Sequence, residues 1–163
     1  MTGFKRPTFP LGGGCPCGAV RYEVSEMPFL AYACHCTNCQ RVTGSAFALN
    51  MPVATRAFRI TAGEPKAHRR LSPTGVRGAS WFCGDCGGRI YGERETEPEV
   101  RIVRAGTLDD TSWLAPVAHF FVRSAQPWEQ FSGTEAACFE TGSADYAPLV
   151  EAWQRRWSET DPQ

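Results

Sequence analysis

Seven of the eight cysteines fall into three tight groups: Cys15 with Cys17, then Cys34, Cys36 and Cys39, then Cys83 with Cys86. Such crowding constrains the fold strongly, because each group must sit in a short turn that gathers its sulfurs. No N-terminal segment combines basic residues, an apolar run and a small-residue cleavage site, so the chain reads as soluble and cytoplasmic. In that reducing compartment metal thiolates are a better reading of the cysteines than four disulfides.

The stretch "FCGDCGG" (82 to 88) has the form of a zinc knuckle. Two thiolates two residues apart can share a tetrahedral ion where the backbone turns tightly, and Gly84, Gly87 and Gly88 relieve the steric limits of that turn. A half-site needs a second pair. "GGGCPCGAV" (12 to 20) offers Cys15 and Cys17, with Pro16 stiffening the step between them. The resulting Cys₄ shell leaves no position for substrate and reads as structural, tying the start of the first strand to a hairpin far along the chain.

"CHCTNCQ" (34 to 40) holds three thiols in six residues. Three protein ligands with an open fourth position is the usual arrangement of a catalytic zinc, able to lower the pKa of a bound thiol or water or to polarise a carbonyl. Three thiolates on zinc carry about −1 net charge, which favours a neutral ligand unless cations lie nearby. The alternatives are a closed site completed by Cys138, His35, His68 or His119, and a redox or metal-storage cluster. His35 lies between two ligands and is expected to orient the turn.

The rest of the chain reads as an all-β domain. "AVRYEV" (19 to 24) alternates Val20, Tyr22 and Val24 against Arg21 and Glu23, and "RAFRITAG" places Phe58 and Ile60 on one face before a turn at Gly63-Glu64-Pro65. "KAHRRL", ending at Ser72-Pro73-Thr74-Gly75, is followed by "ASWFC", "RIYGE", "EVRIVRAG" and "PVAHFFV" in the same pattern. One helix closes the chain, capped by Ser143 or Asp145, with Tyr146, Leu149, Val150, Trp153 and Trp157 on a face that covers the core. Both termini read as mobile.

At 163 residues the chain is long enough for one domain that buries roughly two-thirds of its unfolded surface. Its 17 basic and 17 acidic residues leave no net field to hold nucleic acid or an anionic membrane, and no apolar run approaches a membrane span. Neither is expected as a partner, and the oligomeric state is not readable.

Together "GGGCPCGAVRYEV", "CHCTNCQRVTGSAF", "FCGDCGGRIY" and the later "AHFFVRSAQPW" resemble the glutathione-dependent formaldehyde-activating enzyme family, which includes the eukaryotic centromere protein V. The match spans about residues 11 to 130, in order, with all seven motif cysteines. The resemblance implies a β-tent fold of several small antiparallel sheets organised around zinc. It implies two zinc ions, a structural one on Cys15, Cys17, Cys83 and Cys86 and a catalytic one on Cys34, Cys36 and Cys39. The implied domain covers 11–135, with a C-terminal extension over 136–163 whose helix packs on it.

The implied activity is that of a carbon–sulfur lyase joining glutathione to formaldehyde. The alternative is a zinc protein that binds or carries a small thiol without turnover. Glutathione carries two carboxylates, for which Arg41 and Arg89 are the nearest candidates in sequence. His119 is a candidate for proton transfer, otherwise a strand histidine hydrogen-bonded in place. Trp128 reads as an indole packed over the core, and Cys138, beyond the match, as buried packing.

Overall fold

The computed structural model describes residues 5–71, 75–143 and 145–158. The extreme termini and Ser72 to Thr74, where mobility and a turn are expected, lie outside the described residues.

Alternation builds the first sheet. β1 (Leu11–Gly14) pairs antiparallel with β2 (Arg21–Val24), and β2 pairs antiparallel with β5 (Phe58–Ala62). Val20, Tyr22 and Val24 are all buried, as their spacing requires. β1 is the sequence Leu-Gly-Gly-Gly, a poor strand by composition. Its glycines answer to close packing: a Cβ on Gly13 would lie 2.4 Å from the Tyr22 ring and 2.7 Å from the Thr107 carbonyl oxygen.

Among the described residues the second sheet has eight strands. Those before the mid-chain are β3 (Tyr32–Cys34), β4 (Ala48–Ala54) and β6 (Lys66–Leu71). After them come β7 (Arg77–Phe82), β8 (Arg89–Arg94) and β9 (Val100–Arg104). β10 (Ala118–Phe120) and β11 (Ala137–Phe139) complete the order β11-β10-β3-β4-β9-β8-β7-β6. Six strands pair antiparallel, whereas β10 runs parallel to both β3 and β11, so one edge of the sheet is parallel.

Register decides which face is core. Met51 pairs with Val103, Val103 with Tyr91 and Tyr91 with Trp81, forming a row across four strands on the apolar face. The first sheet packs there: Tyr22 meets Phe58 at 5.3 Å and Phe58 meets Tyr91 at 4.8 Å between ring centroids. The opposite face carries a different row, described below.

A short helix, α1 (Thr37–Thr43), follows β3, and α2 (Ala147–Ser158) closes the chain. Asp145 Oδ1 accepts from the Ala147 N–H at 2.9 Å, and Ser143 Oγ donates to the Asp145 carbonyl oxygen at 2.6 Å, so both expected capping residues shape the helix start. Leu149, Trp153 and Trp157 are buried. Trp153 and Trp157 close on Trp113 with ring centroids 6.1 and 5.8 Å away. The mainly β, helix-closed organisation expected from the sequence is present. Among the described residues, no helix is long and apolar enough to cross a membrane.

Candidate functional site

Two hairpins far apart in sequence converge on one sulfur cluster. The β1–β2 turn carries Cys15 and Cys17, and the β7–β8 turn carries Cys83 and Cys86; their four Sγ atoms all lie within 4.8 Å of one another. Cys17 Sγ is 3.4 Å from Cys15 Sγ and 3.8 Å from Cys83 Sγ. A tetrahedral zinc with bonds of about 2.3 Å needs sulfurs about 3.8 Å apart, so these residues fit the ion. Backbone geometry holds them. The Cys83 N–H donates to the Gly88 carbonyl at 2.8 Å and the Gly87 N–H to the Cys83 carbonyl at 2.9 Å, with Gly87 at φ 72°, where a glycine is needed. The Val20 N–H donates to Cys15 Sγ at 3.2 Å, support for a thiolate.

The second cluster is local. Cys34 ends β3 and is buried, while Cys36 and Cys39 are half-buried at the start of α1; their sulfurs also lie within 4.8 Å of one another. Cys36 caps the helix, its Sγ accepting from the Cys39 N–H at 3.3 Å. Hydrogen bonds from the Cys34 and Cys39 thiols hold the Cys36 thiol far below the ordinary range, and sharing the same bonds pushes Cys34 far above it. One negative charge is thus favoured and three are not, unless a cation joins them, which is the donor set a zinc ion suits.

The turn is clamped from behind. Gln40 Nε2 donates to the carbonyls of His35 and Ser124, each at 2.7 Å, and Gln126 Nε2 donates to Gln40 Oε1 at 2.9 Å. His35 is fully buried, with Nε2 3.0 Å from His119 Nδ1 and its ring against Phe47 and Phe131. Neither imidazole belongs to the sulfur cluster.

In front of the cysteines lies a cavity of about 560 Å³. That size suits a small molecule, for which roughly 300–1,000 Å³ is usual. Its floor is the non-core face of the large sheet, set by register: Tyr32 pairs with Asn50 and Asn50 with Arg104, while Ile102 pairs with Gly92 and Gly92 with Ser80. Burial pushes the Tyr32 phenol well above its ordinary range, keeping it a hydrogen-bond donor. One wall is the start of α1, and Phe121, Arg123 and Ser124 also line the cavity. Phe121 holds φ 60°, a left-handed conformation that costs a bulky side chain roughly 1–3 kcal/mol. Its N–H donates to the Thr141 carbonyl at 3.1 Å, and its own carbonyl accepts from the Ser124 N–H at 3.0 Å, which together hold the turn.

The cavity is cationic. Arg70, Arg94, Arg104 and Arg123 line it, against Glu93 as the one acid among the described residues. Glu93 lies 3.1 Å from Arg101 and Arg94 lies 3.1 Å from Glu97, so these two charges are already partnered.

Several expected residues land elsewhere. Arg41 is exposed on α1 and does not line the cavity, and nor does half-buried Arg89, because proximity in sequence to a cysteine turn is not proximity across the strands. Burial, and then the charges of Arg104 and Arg70, lower the Arg89 pKa. Trp128 is 66% exposed rather than packed over the core. Cys138 is exposed on edge strand β11, not buried. Among the described residues neither Cys138, His35, His68 nor His119 completes the three-sulfur cluster. His119 contributes nothing to the cavity lining. Tyr32, Asn50, Ser80, Arg70, Arg104 and Arg123 are among the cavity-lining residues that sequence reasoning missed. A signal existed for one: Asn50 is a lone amide inside the apolar run "ALNMPVA".

The model of the family "Glutathione-dependent formaldehyde-activating enzyme" matches residues 10–124. A Penicillium rubens protein named "Putative glutathione-dependent formaldehyde-activating enzyme" is 26% identical over 134 residues, covering 79% of this chain and 62% of that protein. The chain therefore spans less than two-thirds of that relative. A crystal structure of a Rhodobacter sphaeroides protein aligns with a TM-score of 0.48 and 26% identity, over 61% of this chain and 88% of that one.

Proposed function

This chain belongs to the glutathione-dependent formaldehyde-activating enzyme family, and on that premise we propose that it is a zinc-dependent carbon–sulfur lyase. Its substrate would be the adduct of a glutathione-like thiol with formaldehyde or another small aldehyde. The observation that carries this reading is the three-cysteine cluster on the wall of a ligand-sized cavity, with no fourth protein ligand among the described residues.

Cys34, Cys36 and Cys39 would hold one zinc, and Cys15, Cys17, Cys83 and Cys86 a structural one. Bound at the three thiols, the ion supplies Lewis-acid chemistry and stabilises a thiolate. In the synthetic direction the substrate thiol gives up its proton and its sulfur attacks the aldehyde carbon, forming the C–S bond. The carbonyl π pair moves to oxygen, which takes up a proton, so that thiol plus aldehyde equals hydroxymethyl thioether with nothing left over. The chain's contribution is position and surroundings: the cavity holds both reactants on one side of the cysteines, and Tyr32, Asn50 and Ser80 furnish hydroxyl and amide groups along its floor.

X-ray absorption on anaerobically purified protein, with and without glutathione, tests the site, and ¹³C NMR of labelled formaldehyde tests the reaction. The expected result is two zincs per chain, one lost in Cys36→Ser, a new sulfur ligand on adding glutathione, and adduct formation faster than the uncatalysed rate. Two zincs whose spectra ignore glutathione, with no acceleration, would overturn the proposal.

A further inference from the structure

Resting on that reading of the cavity, we infer that Arg104, braced by Asn50, is the carboxylate-binding residue of the site and restricts it to thiols that carry an acidic group. Three observations converge. Arg104 Nη1 donates to Asn50 Oδ1, and Asn50, itself buried, has its amide turned by a 3.3 Å bond from Nδ2 to the Ala48 carbonyl, which leaves the oxygen facing the arginine. Arg104 Nε is buried with no partner among the described residues, a donor whose desolvation nothing yet compensates. The guanidinium also stands in a wall of like charge. Arg70 and Arg123 line the same cavity, and no ion pair is made by Arg70, Arg104 or Arg123 among the described residues.

Cations that outnumber the one lining acid, Glu93, which Arg101 already pairs, are matched by an anionic ligand. Asn50 fixes one edge of a planar fork, and a fixed fork suits a carboxylate, which accepts two parallel N–H bonds. The charge balance of the cysteine site points the same way. Three thiolates on zinc leave about −1, which would repel an anionic thiol, and the arginines on the facing strands offset that repulsion. A competing role exists: Arg104 also lies within electrostatic reach of Cys39 and could serve only as a counter-charge to the sulfur cluster. The two roles differ in what they affect, ligand choice in one and metal retention in the other.

The test uses zinc-loaded full-length protein and two probes, glutathione and its diethyl ester, with equilibrium binding by calorimetry and zinc content by mass spectrometry. Wild type should bind glutathione at least tenfold more tightly than the diester. Arg104→Met should weaken glutathione binding on the order of tenfold to a hundredfold while leaving diester binding and zinc content unchanged. Arg104→Lys, which keeps the charge but not the fork, should recover only part of the loss. Asn50→Ala should fall between wild type and Arg104→Met. Equal affinity of wild type for both thiols overturns the inference while the thiol-binding reading survives. Loss of zinc in Arg104→Met, with the preference for glutathione retained, overturns it in favour of the counter-charge role. Failure of wild type to bind either thiol removes the reading of the cavity and this inference with it.

Discussion

The two cysteine clusters are built from the same atoms and assembled in opposite ways. One draws four sulfurs from two hairpins 66 residues apart and lies at the junction of the two sheets, with Cys17 and Cys86 at the surface. The other draws three sulfurs from one turn, half-buried, beside a cavity of about 560 Å³. Long-range closure gives a cluster leverage over the fold, because it replaces loop entropy with bonds. Local closure gives little such leverage, and its three sulfurs would leave one position open on a tetrahedral ion. The number of thiols and their separation along the chain thus sort stability from chemistry before any substrate is considered.

The sharpest test separates those two outcomes directly. Cys83→Ser is expected to abolish cooperative thermal unfolding, since structural zinc contributes folding free energy outright, whereas Cys36→Ser should shift the melting temperature by only a few degrees and remove one zinc. Circular-dichroism melts with zinc analysis would read both; equal melts for the two variants would break the comparison. Trp153→Ala comes next. Removing this fully buried indole from between Trp113 and Trp157 should cost about 3–5 kcal/mol by denaturant unfolding while both zincs stay bound, showing that stability and metal content can be moved apart.

A smaller effect is expected of Gln40→Ala, which strips the clamp behind the three-cysteine turn. It should destabilise the protein by about 1–3 kcal/mol and speed loss of zinc to a chelator from the second site only, measured with a colorimetric dye. The smallest lies beside the first site, where Arg21 on β2 donates to Asp109 Oδ1 at 2.9 Å. Hydrogen bonding to Arg21 lowers the Asp109 pKa from 3.8. A depressed carboxylate pKa contributes stability that is present above the unfolded value and lost as pH falls through the folded one. Because both side chains are well exposed, Asp109→Asn should cost less than about 1 kcal/mol at pH 7, and its difference from wild type should shrink as pH falls below about 4.

What the sequence reveals follows the same division. Local signals are legible: the alternation of Val20, Tyr22 and Val24, the helical stripe of Leu149, Trp153 and Trp157, and the cysteine spacings themselves. β1 is hidden because its glycines answer to close neighbours, the Tyr22 ring at Gly13 and the Val20 carbonyl at Gly14, that are visible only after folding. β4 is hidden because burial of Ala48, Asn50, Met51, Val53 and Ala54 on its two faces erases the alternation. The cavity is hidden most deeply. Arg104 and Asn50 lie 54 residues apart and meet through strand register, whereas Arg41 and Arg89, adjacent to cysteine turns in sequence, point to a site they do not line.

The separation of the two halves of the first cluster also sets an order of events in synthesis. Cys17 leaves the ribosome 66 residues ahead of Cys83, a wait of roughly 3–13 s at about 5–20 residues per second. During that interval the Cys15–Cys17 pair is a half-clasp on a nascent chain, able to hold an ion only with outside ligands and open to oxidation. The three-cysteine turn meets no such delay, since its thiols emerge together and can load at once. With the structural zinc proposed above, metal supply to the growing chain would be a condition for closing this clasp between the two sheets, and scarcity would leave the polypeptide with its first hairpin formed and its clasp undone.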